Sequence, residues 1–256
     1  MSTQSPVVVC DLDGVIWLAD TAIEGAASAV AALRGAGYQL LFVTNNSFAP
    51  VADVETKLAS MDVPAVGEVL TSGMAAARLV DAGARVMLAG GPGAREELER
   101  RQARIVEAGP VDVVVVGFHR TFDYDELTRC AAAVRAGARL IGTNGDATYP
   151  TPDGEIPGGG AILAAIAVAA GVDPVVAGKP HEPMAALVRA RVGEAALVMV
   201  GDRLDTDGLF AERLGARFVH VLSGVRPQTA ESRRPNVWLE AVDLAAAVPK
   251  LIDHGS

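Results

Sequence analysis

The stretch that most constrains this chain is Val7 to Val15, V-V-V-C-D-L-D-G-V. Four apolar residues lie between Pro6 and an acidic, glycine-bearing turn. That is the pattern of a parallel strand buried on both faces. Asp11 and Asp13 stand two apart at its end, where both can converge on one cation, and Gly14 lets the chain turn away. Carboxylates so placed are costly unless something positive neutralises them. A hard cation such as Mg²⁺ is the simplest candidate, since it takes one or two carboxylates plus phosphate oxygens. D-x-D-G also occurs in Asx turns, where the side chains bond only their own backbone. The remainder of the chain has to separate the two readings.

An Ala-rich helix pattern from Glu24 to Arg34 ends at Gly35 and Gly37. Tyr38 to Val43 reads as a second strand and runs into Thr44-Asn45-Asn46-Ser47. Pro50 opens a helix to about Met61, and Val69 to Ser72 is a short strand followed by a helix to Asp81. Such alternation predicts an α/β fold with a doubly wound parallel sheet. Ligands of these sheets bind beyond the carboxyl ends of the strands, where Asp11, Asp13, Thr44 and Asn45 fall.

From Arg85 the alternation starts again. Strands are predicted at 85–89, 111–116 and 139–143, and helices at 93–104, 123–136 and 161–170. Residues 84–173 read as an α/β unit inserted into a discontinuous core of 1–83 and 174–256. Between Thr143 and Gly160 lies a long, turn-rich stretch carrying Asn144, Asp146 and Tyr149; a loop of that length is usually functional or disordered. Three strands then follow, at 175–177, 196–200 and 216–222. The first leads into Gly178-Lys179-Pro180 and the second into G-D-R-L-D-T-D-G, residues 201–208. A last strand near Val237 and a helix from Glu240 complete the reading.

A net charge of -9 and 4% aromatic residues argue against nucleic acid or an anionic membrane as partner. No run is long and apolar enough to span a bilayer, and no signal peptide is expected at Met1 to Pro6. Cys10 and Cys130 belong to no C-x-x-C, which suits a reducing cytoplasm. Gly90-Gly91-Pro92-Gly93 lacks a full dinucleotide-binding pattern, and its proline removes an amide donor, so a turn is expected. Gly158 to Gly160 are expected to permit close packing at the junction of the two units. None of His119, His181, His220 and His254 has metal-ligand spacing.

Four polar clusters each follow an apolar strand: Asp11/Asp13, Thr44/Asn45/Asn46, Lys179, and Asp202/Asp205/Asp207. A carboxylate can attack phosphorus. A metal and a lysine can cancel charge on the phosphoryl oxygens, and hydroxyl and amide donors can hold them. A second carboxyl can protonate the leaving oxygen and then activate water.

D-L-D-G-V, V-T-N-N-S, G-K-P and G-D-R-L-D-T-D resemble, in order, the four motifs of the haloacid dehalogenase-like (HAD) phosphatases. The T-N-N-S form, the insert and G-T-N-G-D-A-T-Y-P-T-P-D-G are similar to the NagD-like subfamily. The resemblance spans nearly the whole chain. It implies that Asp11 is the nucleophile and Asp13 the general acid/base. Mg²⁺ would be held by the Asp11 carboxylate, the Asp13 carbonyl and Asp202, with Asp207 orienting metal-bound water. Thr44, Asn45, Asn46 and Lys179 would bind phosphate, and Tyr149 would contact substrate from an α/β cap that closes and excludes water. Asp205 is open between a site role and a helix N-cap.

The implied activity is Mg²⁺-dependent hydrolysis of a small phosphorylated metabolite through an aspartyl-phosphate. A sugar or polyol phosphate such as glycerol 3-phosphate, or phosphoglycolate, is favoured because the Tyr149-Pro150 loop offers little aromatic surface to grip a ring. Alternatives are a pyridoxal phosphate or nucleotide phosphatase, a phosphotransferase, and a non-catalytic phosphometabolite binder on the same fold. The resemblance also allows a homodimer.

Overall fold

In the computed structural model the described residues are 5–151, 154–224 and 235–254. Met1 to Gln4, part of the stretch read for a signal peptide, and Pro152 and Asp153 of the 143–160 stretch lie outside them. The chain divides into two compact α/β units. One comprises residues 1–44, 54–70 and 185–256; the other comprises 45–53 and 71–184. The T-N-N-S motif is therefore split, with Thr44 in the first and Asn45 in the second.

The first unit holds a six-stranded sheet in the order Val237–Ala241, Arg217–Val221, Leu197–Gly201, Val7–Cys10, Gln39–Thr44, Val69–Thr71. The first five strands pair in parallel. Val7–Cys10 is central and wholly buried, which explains its unbroken apolar run: both faces are covered by helices. Its register sets Cys10 beside both Phe42 and Val200. Asp11, Thr44 and Asp202 therefore lie at or just past the same carboxyl-terminal edge. A small hairpin, Trp17–Leu18 with Thr21–Ala22, follows Asp13.

The second unit has its own parallel sheet, ordered Val175–Val176, Arg139–Gly142, Val113–Val116, Arg85–Ala89, Arg104–Ile105. Helices Tyr124–Arg135 and Gly159–Ala170 bury Cys130, Val134, Leu163 and Ile166 against it. Asp123 caps the first of these by accepting from the Glu126 N–H at 2.7 Å.

Several segments differ from the sequence reading; the helix read as running to Asp81, for one, ends at Ala77. The helix predicted over 93–104 spans Pro92–Arg100, because Gln102 takes a left-handed φ of 61° and Arg104–Ile105 joins the sheet. Thr148–Thr151 and Gly154–Pro157 pair as an antiparallel hairpin inside the stretch read as a long loop. A two-stranded ribbon tolerates Pro150 and Pro157 since no third strand needs their missing N–H. The last helix starts at Leu244, not Glu240. Asp243 marks its start by accepting from the Ala246 N–H at 2.7 Å, while Glu240 sits in a strand opposite His220.

Both glycine clusters make room within the second unit. A Cβ on Gly93 would lie 2.1 Å from the Ala49 carbonyl oxygen and one on Gly91 2.4 Å from the Phe48 ring. That closeness lets the Gly93 and Ala94 amides donate to the Phe48 and Ser47 carbonyls at 2.8 and 2.9 Å. Pro92 begins the helix there, as the turn reading requires. Gly158 and Gly160 admit the Asp146 and Gly145 carbonyl oxygens, at 2.4 and 2.3 Å from a built Cβ. Close packing is thus the role of Gly158 to Gly160, but both partners belong to one unit.

Candidate active site

In the first unit the chain gathers negative charge. Carboxylate oxygens of Asp11, Asp202 and Asp207 lie within 4.8 Å of one another, with Asp11 and Asp207 buried. Asp11 comes from the end of the central strand, and its Oδ1 accepts from the Leu12 N–H at 2.8 Å. Asp202 follows the strand Leu197–Gly201. Asp207 lies in a single π-helical turn, Leu204–Gly208, a local underwinding common at functional sites. The turn brings Asp207 back toward Gly201 so that its carboxylate accepts from the Arg203 N–H at 3.2 Å.

Three glycines clear the space. A Cβ on Gly14 would meet Asp202 Oδ2 at 2.4 Å, one on Gly224 would meet it at 1.7 Å, and one on Gly201 would meet Asp207 Oδ2 at 2.3 Å. Gly14 also takes a φ of 81°, and Ser223 ties down the turn by donating to the Gly14 carbonyl at 2.7 Å. Three carboxylates in such a cradle, all hard oxygen donors, fit a divalent cation. The side chain of Asp13 points to a different partner: it accepts from Trp17 Nε1 at 2.9 Å. Thr44 is buried at the adjoining strand end.

Asp205 ion-pairs with Arg203, which donates to both its carboxylate oxygens at 2.9 and 3.2 Å. Burial would push this carboxyl up, but the Arg203 hydrogen bonds and charge outweigh it and hold Asp205 below the usual range. Asp205 lies inside the turn Leu204–Gly208, whose N-cap position is Arg203.

In the second unit the remaining residues form an amide network. Asn45 grips the main chain of Lys179 at two points: its Oδ1 accepts from the Lys179 N–H at 2.8 Å and its Nδ2 donates to the Lys179 carbonyl at 3.1 Å. A Cβ on Gly178 would strike that Oδ1 at 2.5 Å. Ser72 and Asn144 both donate to the Asn45 carbonyl, at 2.5 and 2.7 Å. Asp146 accepts from Asn45 Nδ2 at 3.3 Å. Lys179 is itself buried. Asn46 donates to the Tyr149 hydroxyl at 3.4 Å.

Tyr149 is stacked on Phe118, ring centroids 4.6 Å apart and 4° from parallel, with Phe48 edge-on to Phe118 at 5.9 Å. The expectation of little aromatic surface beside Tyr149 is thus corrected. Phe48 and Phe118 stand 70 residues apart in sequence, and nothing local marks them as partners. Sequence reasoning also missed Ser72, Gly224 and His220 for the same reason, and it missed Trp17 although that residue stands only four positions from Asp13. Cys10, expected on the far face and inert, is buried with its Sγ 3.1 Å from the Asp11 carbonyl.

Residues 8–104 match the family of haloacid dehalogenase-like hydrolases, and residues 176–245 match a second, HAD-hydrolase-like family. An acid sugar phosphatase of Staphylococcus saprophyticus is 36% identical over 222 residues, 84% of this chain and 85% of the relative. A D-glycerol 3-phosphate phosphatase of Mycobacterium tuberculosis is 37% identical over 226 residues, 85% of this chain but 63% of that longer protein. The crystal structure of a glycerol phosphate phosphatase from M. tuberculosis, in complex with magnesium, superposes with a TM-score of 0.86 at 33% identity, covering 95% of this chain and 76% of that one. With the four motifs in order and this likeness over most of its length, the chain belongs to the haloacid dehalogenase-like hydrolases, in their NagD-like branch.

Proposed function

We propose that the protein is a Mg²⁺-dependent phosphatase of small phosphomonoesters. The single observation that carries this reading is the Asp11–Asp202–Asp207 cluster at the carboxyl edge of the first sheet, in a cradle cleared by three glycines. The names of the relatives support the reaction class. Asp11 and Asp202 are the side chains that would hold the ion, together with the Asp13 carbonyl, and Asp207 beside them would orient water bound to it. When bound, Mg²⁺ supplies positive charge against the phosphoryl oxygens.

Asp11 Oδ attacks phosphorus as the ester P–O bond breaks, and the Asp13 carboxyl gives its proton to the leaving alkoxide. Asp13, now a carboxylate, takes a proton from water as that water attacks the phosphorus of phospho-Asp11. The acyl phosphate P–O bond breaks, phosphate leaves, and both aspartates return to their starting states. Thr44, Asn45, Asn46 and Lys179 bind phosphate oxygens in this reading, and the insert 84–173 acts as the cap that sets substrate choice.

A sugar or polyol phosphate is the favoured substrate class, in keeping with the acid sugar and glycerol 3-phosphate relatives. One observation favours an aromatic phosphate such as pyridoxal phosphate instead: the Phe48–Phe118–Tyr149 array. Phosphate release from a panel holding both classes, with Mg²⁺ and with chelator, separates them. Turnover should need Mg²⁺ and should fall by about a thousandfold or more in Asp11→Asn. Release that persists in Asp11→Asn would sink the aspartyl-phosphate route, and highest kcat/KM on pyridoxal phosphate would overturn the polyol assignment.

A further inference from the structure

The peptide joining Asp202 to Arg203 is held from both sides. Its N–H donates to the Asp207 carboxylate at 3.2 Å. Its carbonyl oxygen, on the opposite side of a planar trans unit, faces His220 Nε2 at 3.1 Å. A carbonyl only accepts, so Nε2 carries the proton of that bond. The other ring nitrogen, Nδ1, lies 3.2 Å from Glu240 Oε2, which accepts from it when that nitrogen carries a proton as well.

The strands build this alignment. Gly201 pairs with His220, and His220 pairs with Glu240, in register across three parallel strands. The ring is nearly buried, with 13% of its side chain exposed, whereas Glu240 is 60% exposed. Asp202 is the first residue beyond its strand, where ladder hydrogen bonds stop. The ring N–H takes over there and fixes the peptide plane that relates Asp202 to Asp207.

We propose that His220, oriented by Glu240, is the positioning residue of the acidic cradle. It acts through the Asp202 carbonyl and sets the mutual geometry of two carboxylates while touching neither carboxylate itself. This rests on the Mg²⁺-dependent reading above. Partners of this kind, which orient ligands from behind, commonly govern metal affinity as strongly as activity.

The test is calorimetric titration of the metal-stripped protein with Mg²⁺, beside unfolding curves without metal. His220→Leu should weaken Mg²⁺ binding by about tenfold. His220→Gln, whose amide N–H can reach the same carbonyl, should restore most of it. Glu240→Ala, at an exposed position, should give a smaller weakening in the same direction. Wild-type Mg²⁺ affinity in a folded His220→Leu protein overturns the proposal. Should that variant fail to fold, wild-type affinity in Glu240→Ala overturns it instead. If the wild-type protein itself binds no Mg²⁺, the metal-dependent reading falls and this inference with it.

Discussion

The two units handle charge in opposite ways. In the first, three carboxylates crowd within 4.8 Å of one another, and glycines lie close against two of them. In the second, a buried lysine has its main chain gripped by an amide, which is itself held by Ser72 and Asn144. Like charges at this range repel one another, which favours a cation at the cluster. In the amide network both ends of the Asn45 side-chain amide meet partners within the chain. One region therefore carries the charge to attract a cation, and the other holds its main chain through amide hydrogen bonds.

The contrast is broken most severely at Gly224. A methyl group there would lie 1.7 Å from Asp202 Oδ2, so the carboxylate must move. Gly224→Ala is expected to lower phosphate release by about a hundredfold, the scale of an ångström-sized misplacement. It should also abolish the rise in melting temperature that Mg²⁺ gives the wild type. A variant that keeps both would show that the cradle is roomier than it looks.

Asn45→Ala sharpens the contrast from the other side. It strips the two hydrogen bonds from the Lys179 main chain, a loss of about 1–3 kcal/mol in thermal or urea unfolding. Activity should fall, chiefly through a higher KM, but the Mg²⁺-dependent stabilisation should survive. If Mg²⁺ no longer raised the melting temperature of this variant, the two regions would not be energetically separable.

Trp17→Phe keeps an aromatic side chain but replaces the indole with a smaller phenyl ring, removing the Nε1–H that Asp13 accepts. Mg²⁺ affinity should stay unchanged and kcat should drop by about tenfold, one charged-acceptor hydrogen bond's worth. An unaltered kcat would show that this contact does not orient Asp13.

The smallest effect concerns Cys130 in the second unit. Burial, with Glu126 adding to it, pushes this thiol up to about 11 from an ordinary value of 9.0. Because the folded value is the higher, the stability from keeping the thiol protonated is whole below pH 9 and is lost as pH rises toward 11. Equilibrium unfolding from pH 7 to 10.5 should show this decline, and Cys130→Ala should flatten it. At neutral pH the native protein should resist thiol alkylation at this position.

Much of the fold was legible because its signals are local. Val7–Cys10 and Val113–Val116 are unbroken apolar runs, and only a strand covered on both faces accommodates such runs in a parallel sheet. The four motif clusters followed from the same logic, since each polar group ends a strand. The 148–157 hairpin was harder to see. Its prolines argue against a strand, and only the partner strand shows that their missing donors are not needed.

The sequence alone determined the residue types that can do phosphoryl chemistry, their order, and the strand ends that carry them. Backbone periodicity and turn chemistry act over a few residues, so they can be read without knowing the fold. Tertiary structure alone decided which groups meet. It set Asp207 beside Asp11 and Asp202, turned the Asn45 amide onto Lys179, stacked Tyr149 on Phe118, and put His220 behind the Asp202 carbonyl. Apart from Asp202 with Asp207, each of these contacts joins positions well separated in the chain. Their existence depends on sheet register and on the space that glycines leave, neither of which any local pattern encodes.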